Sequence, residues 1–183
     1  MFCWRCLCWD GSWSSLNYGE KMIPVKLHST LKERVAHAIT SREAAVDVMK
    51  ELQAHYGWLT DEAVAEAAEL LGLTSLQVEE LATFYEMIYR RPVGKRVIHV
   101  CDSISCWSLG SEPLLAHVAD HLGIKVGETT ADGCFTLLPC CCLGNCTEAP
   151  TMMIGDAVYG RLNPQTAVVF IEGERRAIEG GVR

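Results

Sequence analysis

The sequence predicts an α+β chain, a small helical bundle followed by a compact α/β unit, and three observations carry that reading. Helix-start signals recur, with apolar residues at helical spacing, as far as residue 90. Beyond Pro92-Val93-Gly94 the apolar runs become short and β-rich. From there the order strand, helix, strands, helix is that of a sheet packed against helices.

Composition limits the function classes first. With 183 residues, 49% apolar and 21% charged, the chain can bury a sizeable core. A formal charge of -7 argues against nucleic acid as a partner, since phosphate binding needs clustered Lys and Arg. No run approaches the roughly 18 apolar residues of a membrane span, so no direct membrane insertion is expected. No basic stretch followed by an apolar block and a small-residue cleavage site opens the chain, so export is not expected either. Ten cysteines in such a chain point to metal or redox chemistry rather than a disulfide framework.

Residues 1–27 are expected to be a disordered tail or an extension upstream of Met22. They hold Cys3, Cys6 and Cys8, a thiol clip or redox pair by spacing that no predicted element supports. Residues 28–91 form the predicted bundle. Thr30, Thr40 and Thr74 stand three residues before Glu33, Glu43 and Gln77, the reciprocal capping arrangement of a helix start; Thr60 before Asp61 and Glu62 supplies a fourth. Ala45, Val48, Met49 and Leu52 share one face, as do Val64, Ala67, Ala68 and Leu71. Val78, Leu81, Ala82, Tyr85 and Ile88 continue the pattern, and the aromatic stripe of Phe84, Tyr85 and Tyr89 is expected in the core, with a docking surface as the second reading. The basic run Arg90, Arg91, Lys95 and Arg96 reads as a solvated linker.

Residues 92–183 form the predicted α/β unit. Val97 to Val100 is a strand ending at Cys101, and Glu112 to Leu122 a helix with Leu114, Leu115, Val118 and Leu122 on one face. His117 and His121, four apart on that helix, read as a wet face because no third ligand accompanies them. Phe135 to Leu138 is a strand, Met152 to Ile154 and Ala157 to Tyr159 a hairpin turned at Gly155-Asp156, and Asn163 caps a last helix with Pro164 at its first position.

Two cysteine pairs fall in the loops of this unit. Cys101 and Cys106 have the form C-x4-C, Cys142 and Cys146 the form C-x3-C, so each pair can clamp one side of a small inorganic centre. Cys140, Cys141 and Cys142 are consecutive, and neighbours in extended backbone face opposite ways, so at most two of the three reach one centre. Gly144 lets backbone amides approach the sulfurs and favours Cys142; Cys140 and Cys141 are expected outside the ligand shell and Cys134 as a free thiol. Structural zinc and a [2Fe-2S] cluster both fit four thiolates, and spacing leaves both open. An α/β core of this size does not need zinc to fold, which favours iron and sulfide.

CDSISC, GETTADGCFTLLP, CCLGNC and APTMMI, preceded in order by HYGWLTDEAV, ELATFY and RPVGKRVIHVCDS, resemble the thioredoxin-like [2Fe-2S] ferredoxin family, the E-subunit family of NADH-quinone oxidoreductase, respiratory complex I. The resemblance covers roughly residues 30–172. It implies a thioredoxin-like domain after the bundle, with one [2Fe-2S] cluster on Cys101, Cys106, Cys142 and Cys146. It also implies an electron-transfer role beside the flavoprotein (F) subunit, which holds FMN and NADH, and beside the large iron–sulfur (G) subunit, on the cytoplasmic side of the inner membrane. The chain itself lacks a G-x-G-x-x-G after a strand, so nicotinamide and flavin are not expected on it. Homologous diaphorase subunits of NAD-linked hydrogenases and formate dehydrogenases are the alternative. Asp102 and Glu148 are the carboxylates expected to oppose reduction of the cluster.

Overall fold

A computed structural model describes residues 23–181, so the expectations for Cys3, Cys6 and Cys8 lie outside the described residues. Four helices come first: α1 (Val25–His37), α2 (Ser41–Tyr56), α3 (Asp61–Leu71) and α4 (Ser75–Phe84). Thr40, Thr60 and Thr74 cap the last three by accepting from Glu43, Ala63 and Gln77 amides, and Thr74 with Gln77 completes a reciprocal box. The faces anticipated from spacing pack together, with Val48, Met49, Leu52, Ala67 and Val78 in one cluster.

The start of α1 differs from expectation. The helix begins five residues before Thr30, and the Thr30 hydroxyl donates 2.9 Å back to the Lys26 carbonyl instead of capping. The Thr30–Glu33 spacing is therefore not a helix start; Pro24, with its fixed φ, marks the beginning. Ile23 is buried against the same core, so the bundle reaches into the segment expected to be tail.

Two further corrections concern the joint between the halves. Phe84 and Tyr85 are exposed, not core, because α4 ends at Phe84 and the chain leaves the bundle there; Tyr89 is half-buried. Arg90 is not solvated linker: its guanidinium donates to the Leu59 carbonyl and pairs with Asp61 at 2.6 Å and Glu79 at 2.7 Å. Gln53 of α2 closes the same joint, donating to Met87 O at 2.9 Å and accepting from Tyr89 N–H at 2.6 Å.

The second half runs β1 (Arg96–Cys101), α5 (Ile104–Ser108), α6 (Ser111–Leu122), β2 (Phe135–Cys140), β3 (Met152–Ile154), β4 (Ala157–Tyr159) and α7 (Pro164–Glu179). The sheet order is β2-β1-β3-β4, with β1 and β2 parallel and the other pairs antiparallel. Leu114 and Val118 of α6 and Ala167 and Ile171 of α7 pack on Ile98, Val100, Leu137, Met152 and Ile154. Asn163 and Thr166 form the reciprocal cap of α7. This is the mixed α+β architecture expected, and α5, too short to show a period, is the element the sequence did not reveal.

Candidate metal centre

The site lies at the ends of the two parallel strands. Their register sets Arg96 opposite Phe135 and, at the other end, Cys101 opposite Cys140. The chain leaves β1 into α5, which carries Cys106 inward, and leaves β2 into the loop that carries Cys141, Cys142 and Cys146. Two sulfur-bearing turns thus begin side by side although 35 residues separate Cys106 from Cys142.

The two thiols of each pair lie near one another. Cys101 and Cys106 pack in one buried cluster. Burial pushes the Cys106 thiol up, the Cys101 thiol adds to this, and the Thr151 amide and hydroxyl oppose it. Cys142 and Cys146 are exposed, with their sulfurs 4.0 Å apart. Gly144, at φ 74°, turns the loop so that its N–H donates to Cys142 Sγ at 3.4 Å.

Tetrahedral metal with sulfur bonds of about 2.3 Å holds its thiolates about 3.8 Å apart, which the outer pair approaches. In a [2Fe-2S] centre each of the two irons would take two thiolates, and two pairs are what these loops offer.

The remaining thiols are placed differently from one another. Cys140 is buried against Cys101 and Cys106, and burial, reinforced by Cys101, pushes its thiol up to about 12. Cys141 is exposed: its carbonyl accepts from Cys101 Sγ at 3.8 Å, and the Glu86 carboxylate accepts from its thiol, which raises that thiol. Cys134 is buried beside the turn before β2. The alternating pleat that separates neighbours also brings Cys140 to Cys101, a closeness that only the strand register reveals.

Spacing alone missed further contributors. Thr151 donates its hydroxyl to the Asn145 carbonyl at 3.3 Å and so ties both turns together. Arg161, at φ 50°, donates its N–H to the Glu148 carbonyl, while its guanidinium makes a bidentate pair with the Glu148 carboxylate. Glu148 is therefore a compensated charge, not the free carboxylate expected. Beside them Gly160 lies so close that a Cβ there would sit 2.4 Å from Glu148 Cβ. Behind the site His99 stacks on Tyr89 with ring centroids 6.1 Å apart. It is buried without a hydrogen-bond partner among the described residues, and burial lowers its pKa against the opposing pull of Glu86, so it stays a neutral ring.

Two pairs of thiols at the ends of parallel strands, on a four-stranded mixed sheet, define a class. The model of the thioredoxin-like [2Fe-2S] ferredoxin family matches residues 31–174; the chain belongs to that family and carries one [2Fe-2S] cluster. Among its relatives is the E subunit of NADH-quinone oxidoreductase from Pseudomonas aeruginosa, 42% identical over 79% of this chain and 87% of the relative. The protein of the same name from Escherichia coli strain K12 is 40% identical over 78% of this chain and 86% of the relative. Among solved structures, an NAD+-reducing [NiFe]-hydrogenase in the air-oxidized state has the same fold, at TM-score 0.60 and 24% identity. That match covers 72% of this chain and 23% of the hydrogenase chain. Among the described residues no helix is long and apolar enough to cross a membrane.

Proposed function

We propose that this chain is the [2Fe-2S] electron-transfer subunit of the NADH-oxidising module of a bacterial NADH-quinone oxidoreductase. Its partners are the flavoprotein (F) subunit, which holds NADH and FMN, and the large iron–sulfur (G) subunit. In this reading the chain is the cluster-carrying part of an oxidoreductase, peripheral on the cytoplasmic side of the inner membrane, with residues 28–91 as a helical unit and 92–183 as the cluster-bearing unit. The observation that supports it is that the loops bearing the two thiol pairs begin side by side where β1 and β2 end, in a chain about 40% identical to E subunits of that enzyme.

Cys101 and Cys106 would hold one iron, Cys142 and Cys146 the other. When bound, the cluster accepts and returns a single electron. The oxidised centre carries about two negative charges and reduction adds about one, so the chain's own task is to tolerate that charge. The Gly144 N–H faces Cys142 and the Thr151 amide and hydroxyl face Cys106; such donors favour the more negative state. An equivalent diaphorase subunit of an NAD-linked hydrogenase or formate dehydrogenase is the second reading, and only the shared fold speaks for it.

Single Cys→Ser substitutions test the ligand set. Cys101→Ser, Cys106→Ser, Cys142→Ser and Cys146→Ser should each abolish or change the rhombic one-electron signal after dithionite, while Cys140→Ser and Cys141→Ser keep it. A colourless wild-type protein with one zinc per chain would overturn the assignment. Affinity purification of the native complex separates the two readings: membrane-arm subunits support the first, a nickel or molybdenum subunit the second.

A further inference from the structure

The two thiol pairs are held by different means. Cys101 and Cys106 are each 2% exposed, so close packing fixes where their sulfurs lie. Cys142 and Cys146 are exposed, and their positions depend on what their loop leans against. Within the loop, the Glu148 N–H donates to the Asn145 carbonyl at 3.1 Å and the Ala149 N–H to the Cys146 carbonyl at 3.4 Å, which closes a single turn around Cys146. A ligand has to be held within about 0.5 Å of its working position, which an exposed single turn does not secure alone.

Residues 160–162, between β4 and α7, supply the support. Both ends of this segment are anchored: Tyr159 stacks on Phe170 of α7 with ring centroids 4.3 Å apart and donates its hydroxyl to Glu174 at 3.3 Å, and Leu162 is buried in the core of the sheet. Between the anchors the segment meets the Cys146 turn. The Arg161 N–H donates to the Glu148 carbonyl and the Leu162 N–H to the Pro150 carbonyl at 3.1 Å. Arg161 takes φ 50°, which a non-glycine residue keeps only where its surroundings impose it. Gly160 faces the turn without clearance: a Cβ there would lie 2.8 Å from the Glu148 carbonyl oxygen and 3.0 Å from Asn145 Nδ2, and nearer still to Glu148 Cβ. Its φ is outside the left-handed region, so the neighbouring turn, not the local backbone, is what requires glycine.

We infer that Gly160 is a positioning residue for the [2Fe-2S] centre: having no side chain, it lets residues 160–162 close on the turn and fix Cys146 at its distance from Cys142. This rests on the ligand set proposed above and deepens it. Gly160 acts through Asn145 and Glu148, which flank Cys146. A methyl group at 160 would meet backbone and Cβ atoms that no rotamer change moves aside, so the turn itself would have to shift and carry the Cys146 sulfur with it. Supports of this kind, one layer outside the ligands, orient the ligands and tune the metal they hold.

The test compares Gly160→Ala with Gly173→Ala, whose added methyl group on α7 meets nothing within 4 Å, each in the full chain loaded with its cluster. Gly160→Ala should shift the g-values of the rhombic signal after dithionite and lose iron to a chelator about fivefold faster or more, the order that overpacking strain produces. Gly173→Ala should keep both as in the unsubstituted chain. Unchanged g-values in Gly160→Ala overturn the inference whatever its stability, as does an equal change in Gly173→Ala. Where Gly160→Ala does not fold, deuterium uptake of the unsubstituted chain decides: residues 145–150 and 160–162 should be protected in the loaded chain and exchange faster together once the chelator has removed the iron. Uptake at 160–162 that ignores iron removal overturns the inference. Cys146→Ser separates this failure from that of the ligand set. A wild-type signal in that variant overturns the reading on which the inference rests; an altered signal there beside an unresponsive Gly160→Ala overturns the role of Gly160 alone.

Discussion

At the scale of single residues, the pairing of Arg161 with Glu148 makes a prediction of sign. Glu148→Gln leaves the guanidinium uncompensated two residues from Cys146 and should raise the cluster's midpoint potential; Arg161→Gln leaves the carboxylate and should lower it. Each shift should be on the order of 1 kcal/mol, roughly 40 mV for one electron at low salt, smaller at higher salt because Arg161 is exposed. The double variant should return near wild type. A redox titration followed by the one-electron signal checks this; shifts of the same sign in both single variants would show that loop geometry, not charge, is at work. Of this neighbourhood the sequence disclosed the cysteine spacing and the glycine at 144, because both are local patterns. It did not disclose Arg161, Thr151 or Glu86, which reach the loops from segments whose approach depends on the folded sheet.

At the scale of elements, the turn before β2 is held by one carboxylate. Asp132 accepts from the Thr130 hydroxyl, from Cys134 N–H at 2.9 Å and from the Arg175 guanidinium of α7. The Thr130 hydroxyl first, then the Cys134 amide, with smaller help from Arg175, hold its pKa well below the usual carboxylate range. A carboxyl depressed in the folded state contributes stability that is fully present above its unfolded value near 4, and that is lost as pH falls through the folded value. Melting temperatures measured from about pH 5 downward should therefore fall more steeply for the wild type than for Asp132→Asn, which starts less stable; parallel curves would remove this carboxyl from the acid response. Elements announced by caps or by long periods were legible: α2, α3, α4 and α7 start at Thr40, Thr60, Thr74 and Asn163 as anticipated, and the hairpin turns at Gly155-Asp156. α1 was misplaced because Thr30 and Glu33 have capping spacing inside a helix, where the hydroxyl satisfies the carbonyl four residues back. α5 was missed because five residues cannot display a helical repeat.

At the scale of the whole molecule, the bundle and the α/β unit are joined by a segment that is fastened, not slack. Gln53 holds both Met87 and Tyr89, Arg90 holds α3 and α4, and Tyr89 lies on the ring of His99 in β1. Gln53→Ala leaves a part-buried amide and carbonyl without partners, at a cost of about 1–3 kcal/mol. Deuterium uptake at residues 85–90 should accelerate while the cluster spectrum stays the same; unchanged uptake would mean that Arg90 fastens the joint by itself. The aromatic stripe was expected inside because its spacing continues that of α4, but the helix stops at Phe84 and the side chains beyond follow the joint. The parallel pairing of β1 with β2 has one more consequence, in the order of manufacture. A ribosome that has delivered the first strand and α5 has supplied only half a nest, since the other two sulfurs are still unborn beyond α6 and β2. On the proposed ligand set, iron delivery would wait for the second strand to slide into place, so the machinery that loads the centre would meet a domain already shaped, and a chain stalled before residue 146 would offer it no more than three of the four anchors.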